Sequence, residues 1–222
     1  MIASRKIPDL YLLLACLFFC VLVVPFQILE SPIDYFFYNV PSGQFLYVCS
    51  KIAGFSAILL FGLQLTLGLL GLKIKRPKLH KFLGIALLLM VMLHVFMFIG
   101  AVSLRSGQLS LGLLIPTFSK GFYPLMVSLG TLAFWGIVAV VMAGFLYRNK
   151  GFGLAKFIHR CSILLFFLVS LHALQIGSES HNGMLFYLYI IEFLAVFSAL
   201  CWRAYTFFGC KCSQKDNDHL FV

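Results

Sequence analysis

The chain has 222 residues, 62% of them hydrophobic and only 11% charged, with a formal net charge of +10. Soluble domains carry about a quarter charged residues, and a globule of this length cannot bury so much apolar surface, so the surrounding solvent is lipid. A basic balance in a soluble protein would argue for nucleic acid; here it reports topology instead, and no nucleic-acid partner is expected. The seven Cys, at 16, 20, 49, 161, 201, 210 and 212, sit mostly in apolar runs and form no disulfide framework.

A bilayer crossing takes ~20 apolar residues, and the sequence predicts six, in an all-α integral membrane bundle. The first is residues 10–29. It has a positive start and an apolar run, like a secretory signal, but no small-x-small cleavage site follows, so it is read as retained. Pro32, Pro41 and Gly43 lie in the loop that closes this first unit, residues 1–50. The second span is 52–72, preceded by an interfacial stretch from Gln44. Pro77 introduces the third, 79–104. The longest loop carries Gly107, Gly112 and Pro116 and leads to the fourth, 121–147. Gly151 and Gly153 open the fifth, 153–177, and the sixth is 183–208. Residues 51–208 read as one membrane domain, and 209–222 as a short polar tail expected to be disordered.

Lys and Arg set the orientation. Arg5, Lys6, Lys73, Lys75, Arg76, Lys78, Lys81, Arg148, Lys150, Lys156, Arg160, Arg203, Lys211 and Lys215 fall on one side of a six-span arrangement. Only Lys51, Arg105 and Lys120 fall on the other. Both termini are therefore expected in the cytoplasm, and the protein in the plasma (cytoplasmic) membrane.

Ionisable side chains are costly in hydrocarbon and mark function by default. Of six His, His181 and His219 fall in a loop and the tail; His80 and His94 fall on span three, His159 and His172 on span five. At 1.5 Å rise per residue each couple is separated by ~20 Å along the membrane normal. Both spans run outward, so His80 matches the depth of His159, and His94 that of His172. Neutral imidazole is a good axial ligand for haem iron. Two facing pairs at two depths predict two b-type haems, dividing the crossing into short electron hops. Neither pair has Asp, Glu or Cys at a zinc-like spacing.

The angular register is less simple. Fourteen residues bring an ideal helix to ~40° short of whole turns, so His80 and His94 share a face; thirteen leave His159 and His172 ~140° apart. Span five must bend, or present its two His to different sides. Arg160 follows His159, and Lys78, Lys81 and Lys156 lie at the same depth, where they are placed to neutralise the inner propionates; the alternative is ordinary flanking charge. Arg105 and Gln175 are the candidates at the outer level. Phe166 and Phe167 lie midway between the two depths, either between porphyrins or as plain packing. Glu192 sits well inside span six, either protonated, paired with a neighbour or moving protons. Cys210 and Cys212 form a Cys-x-Cys close to the inner surface, compatible with palmitoylation, metal binding or chance.

The segments LHKFLGIALLLMVMLHVFMFIG (79–100) and KFIHRCSILLFFLVSLHALQIG (156–177) resemble the ferric reductase-like transmembrane domain. That superfamily includes ferric reductases, the NADPH oxidases and the haem membrane subunit of the bacterial methionine-sulfoxide repair system. The resemblance covers roughly 50–200. It implies an inner haem on His80 and His159, an outer haem on His94 and His172, and electrons moving outward to an external redox acceptor. The chain lacks the carboxy-terminal flavin and nicotinamide module of the large reductases: Gly151-Phe152-Gly153 has no third Gly and no preceding strand. The donor is then a separate flavoprotein or a membrane quinol, as for stand-alone haem subunits. An ascorbate-dependent di-haem cytochrome b also has six spans, but draws its ligands from four helices. A haem-free membrane scaffold or carrier, using His and Glu192 for polar packing or proton movement, is the reading of a different class.

Overall fold

The structure, a computed structural model, describes residues 40–71, 77–150, 153–177 and 183–218. The expected first span at 10–29 lies outside the described residues, as do Arg5, Lys6, Lys73, Lys75, Arg76, His181 and His219. The side chains of Arg148, Lys150, Cys210, Lys211, Cys212 and Lys215 lie outside them too.

With no water in hydrocarbon, each backbone segment must satisfy its own N–H and C=O groups, so apolar runs fold as helices. They are α1 (Gln44–Leu69), α2 (Pro77–Ser106), α3 (Phe122–Lys150), α4 (Gly153–Arg160), α5 (Ser162–Ile176) and α6 (Gly183–Asp218). α4 and α5 run on as one crossing, which leaves five helices among the described residues long and apolar enough to span a membrane. The chain is all-α there, and a lipid bilayer is its environment.

Two boundaries differ from the sequence reading. α1 starts at Gln44 rather than 52. Pro41 accepts the Gln44 N–H at 3.1 Å and Gly43 the Tyr47 N–H at 3.0 Å, so the supposed interfacial stretch is the opening of the helix itself. Gly43 takes φ +77°, and a Cβ there would lie 2.7 Å from the Ala101 carbonyl oxygen, so only glycine allows this turn against α2. At the other end, the expected disordered tail is a continuation of α6 as far as Asp218. No Gly or Pro follows Gly209 to stop it.

α1 packs along α2, α6 covers α1, and α3 packs on α4 and α5. α2 and α5, which carry three of the four intramembrane His, scarcely approach each other. The buried core is built from residues such as Phe61 of α1, Leu83 and Leu87 of α2, Phe134 of α3 and Phe166 of α5. Phe166 is 1% exposed and meets Phe61 edge-on at 5.7 Å. It lies in this core, whereas Phe167 turns toward Phe193 of α6.

The fifth crossing breaks at Cys161, between its two His. The Cys161 N–H is shared by the Phe157 and Ile158 carbonyls, at 3.1 and 3.0 Å. Its ψ of −7° departs from the helical value of about −42°. The bond to Ile158 is a 3₁₀ step, and at three residues per turn each residue rotates ~120° instead of ~100°. Tight winding there recovers part of the angular shortfall between His159 and His172.

The long loop is exposed along most of its length but is tied to α3. Leu111–Leu114 forms a 3₁₀ turn that folds back onto α3. Thr131 Oγ1 donates to the Leu113 carbonyl at 2.8 Å, and Trp135 Nε1 to the Leu114 carbonyl at 2.9 Å. These donors lie roughly 14 and 20 Å beyond Phe122 along the axis. Irregular backbone beside a spanning helix is stable where protein groups take the place of water, and these two side chains supply donors.

Candidate functional site

His80, at the start of α2, and His159, near the end of α4, meet across the bundle with ring centroids 6.0 Å apart and planes at 88°. At the other level His94 of α2 and His172 of α5 line one cavity. The structure thus brings together the residues that the spacing had matched by depth.

Backbone carbonyls fix three of the four rings. His94 Nδ1 lies 2.8 Å from the Ser50 carbonyl oxygen and 3.1 Å from Ser50 Oγ. His172 Nδ1 lies 2.8 Å from the Met126 carbonyl, and His159 Nδ1 3.4 Å from the Val140 carbonyl. A carbonyl can only accept, so each Nδ1 carries the hydrogen and each Nε2 keeps its lone pair. Imidazoles that serve metals are commonly oriented this way, with the second nitrogen donating to a backbone carbonyl. The Ser50 hydroxyl also donates to the His94 carbonyl at 2.9 Å, which pins the two helices together at this point.

A glycine stands opposite every one of these His, and the sequence reading missed all four. Gly54 faces His94, Gly68 faces His80, Gly130 faces His172 and Gly144 faces His159. A Cβ at position 54 would lie 2.8 Å from His94 Nδ1, and one at 130 would lie 2.8 Å from His172 Nδ1. At 144 the nearest atom of His159 is 3.4 Å away, and at 68 the nearest of His80 is 3.9 Å. The reason is geometric. A helix carbonyl points along the axis toward the residue four places on. Ser50, Met126 and Val140 precede Gly54, Gly130 and Gly144 by that step, so a ring bonded to the carbonyl rests where the next turn's side chain would stand. The signal was in the sequence as two glycine couples within spans, each fourteen residues apart as His80 and His94 are, though Gly107 and Gly121 of the long loop share that spacing.

The cavity between His94 and His172 has a volume of about 180 Å³ and is open on one side. Its wall is mainly apolar, with Phe98, Phe134, Val169 and the loop residues Leu113 and Leu114 among the lining. Tyr47, Lys51 and Tyr123 stand on the same wall. Lys51 Nζ lies 4.8 Å from the centre of the Tyr47 ring, and the Arg105 guanidinium 4.7 Å from it, so both cations are held at that end of the bundle. Arg105 also donates to Gln44 Oε1 at 2.8 Å.

The proposed charge partners separate on this geometry. Arg105 is held at the end that carries the cavity wall's Tyr47 and Lys51, whereas Gln175 is exposed and forms no part of the wall. Lys51, which the sequence reading counted only as an outer-side charge, lines the cavity. At the other level Arg160 is exposed, and as the immediate neighbour of His159 it points ~100° away around the helix. Lys156, one turn before His159, shares its face. Lys81 lies over the Phe145 ring at 5.4 Å.

Among the described residues no three His, Cys, Asp or Glu converge on a point. A bare metal ion would find only two imidazoles at either level. A metal that brings its own equatorial ligands needs no more than that.

Comparison with known proteins identifies no relative: no family model, no curated protein and no solved structure matches this chain.

Proposed function

We propose that this protein is a transmembrane electron-transfer subunit of the ferric reductase-like kind, holding two b-type haems between its third and fifth crossings. In this reading the chain has six crossings, both termini in the cytoplasm and the plasma membrane as its location. His80 and His159 ligate the inner haem, His94 and His172 the outer. A quinol or a separate flavoprotein supplies electrons, and an external redox acceptor takes them.

The observation that carries the reading is the repeated unit of imidazole, backbone carbonyl and glycine. His94 and His172 have Nδ1 committed to a carbonyl at 2.8 Å, which turns Nε2 toward the cavity side as a ligand atom, and His159 Nδ1 lies 3.4 Å from a third carbonyl. The 6.0 Å between the His80 and His159 rings also fits. Two metal–nitrogen bonds of about 2 Å, as in zinc sites, plus the distance from each nitrogen to its ring centre, come to about that value. The mainly apolar cavity with Tyr47 and Lys51 on its wall suits a flat apolar macrocycle with acidic edges.

Bound haem supplies one-electron chemistry, which no side chain here provides. The chain's own contributions are definite. The carbonyls of Ser50, Met126 and Val140 orient the rings and raise their basicity. The glycines let those rings seat. Lys51 and Arg105 offset the propionates, with Lys156 in that role at the inner level. The core around Phe166 keeps water from the space between the two levels.

The test is haem per polypeptide in purified protein, with a reduced-minus-oxidised spectrum. Two haems are expected in the wild type, and one, at the inner level, in the His94→Ala/His172→Ala double variant. Colourless, stable protein would favour a haem-free carrier or scaffold. An unchanged spectrum in the double variant would remove the ligand assignment.

A further inference from the structure

Glu192 has no part in the haem arrangement, yet it sits inside the helical bundle. It lies on α6, and both of its carboxyl oxygens are sealed from solvent, with the Gly62 backbone N–H as their polar neighbour. Its carboxyl touches α1 at Gly62, where any Cβ would overlap it. Gly62 falls between Gly54, which faces His94, and Gly68, which faces His80; these are ~12 and ~9 Å away along the helix. The acid is therefore held at a depth between the two histidine pairs.

Its surroundings offer no countercharge. α1 carries no titratable side chain between Lys51 and its end at Leu69. α5 carries one, His172, at the cavity level. On α6 itself, Tyr189 shares the face of Glu192 three residues earlier, is 4% exposed, and donates to the Ser170 carbonyl at 3.5 Å. An ionised carboxylate in such a place is expensive unless charge nearby compensates it. A ferric haem bound by two neutral imidazoles carries one net positive charge at its iron centre, and reduction removes it.

We propose that Glu192 is a proton-exchange site at the contact of α1 and α6, neutral when the neighbouring level is reduced and able to release its proton when that level is oxidised. The proposal rests on the haem reading above for its source of charge. The balance is one for one. With haem bound, an electron from a quinol or a reduced flavoprotein would cancel that positive charge, and the carboxylate would take up one proton from bulk water. When the electron leaves to the external acceptor the charge would return, and the acid would release that proton to bulk water. The reduced state binds more protons, so the midpoint potential must fall as pH rises through the range where Glu192 titrates.

The experiment uses the purified full chain in lipid nanodiscs. Infrared spectra, absolute and reduced-minus-oxidised, are recorded for wild type, Glu192→Gln and Glu192→Asp, with redox titrations at several pH values. A protonated-carboxyl band is expected in the absolute spectrum of wild type, shifted in Glu192→Asp and missing in Glu192→Gln. The redox difference band is expected to vanish in Glu192→Gln, and the pH slope of the potential to flatten. A wild-type absolute spectrum identical to that of Glu192→Gln in this region overturns the proton site, as does a slope that Glu192→Gln leaves unchanged. Protein without haem overturns the haem reading, and with it the coupling, while the absolute band still reports whether Glu192 holds a proton.

Discussion

Placing a single methyl group at position 130 tests the histidine cradle directly. The Cβ of Gly130→Ala would stand 2.8 Å from His172 Nδ1 and 2.9 Å from Nε2, well inside the ~3.5 Å at which non-bonded heavy atoms rest. The ring must move, and the 2.8 Å bond from Nδ1 to the Met126 carbonyl goes with it. Losing a buried hydrogen bond and overpacking a helix contact each cost about 1–3 kcal/mol. Taken as one such loss, this is a 5- to 150-fold weaker hold on the proposed outer haem. The other glycines grade the effect. Gly54→Ala, with its Cβ 2.8 Å from His94 Nδ1, is expected to behave like Gly130→Ala. Gly144→Ala, at 3.4 Å, should be mild, and Gly68→Ala, at 3.9 Å, neutral for haem. Alanine also stabilises an exposed helix by about 0.5–1 kcal/mol over glycine, so a loss at 130 cannot be put down to helix propensity. The assay is haem per polypeptide after purification, with rates of haem transfer to an apo-acceptor protein. Equal haem retention in Gly130→Ala and Gly68→Ala would refute the argument.

Two further outcomes follow from the geometry. Lys51→Gln removes a cation from the cavity wall and is expected to speed loss of the outer haem by about tenfold, the lower end for a partly solvated charge-assisted contact; an unchanged transfer rate removes Lys51 from the site. Trp135→Phe takes away the Nε1 donor to the Leu114 carbonyl and should cost about 1–3 kcal/mol, read as a lower melting temperature in detergent, whereas an unchanged melt means that bond does not secure the loop.

The histidines were legible because polar groups inside apolar runs stand out and because depth follows from residue count alone. The break at Cys161 was half legible: the thirteen-residue step demanded some distortion, but not where it would fall. The glycines were hidden by their commonness, since 18 occur in the chain and glycine is ordinary in membrane helices. Gly54 and Gly68, and Gly130 and Gly144, repeat the spacing of His80 and His94, but so do Gly107 and Gly121 in the long loop, so only their place inside the spans distinguishes them. Lys51 was misjudged because the start of α1 was placed at 52, beyond it. The contact of the 111–114 loop with α3 left no trace in hydropathy, since Thr131 and Trp135 pass for ordinary span residues until their acceptors are known.

That loop contact bears on access to the cavity. Leu113 and Leu114 close one side of the His94 and His172 cavity, and their carbonyls are tied to Thr131 and Trp135. Withdrawing the segment would strip two acceptors of their donors. In the haem reading, a cofactor would enter this cavity most easily before the segment docks, and the same contacts would slow its release.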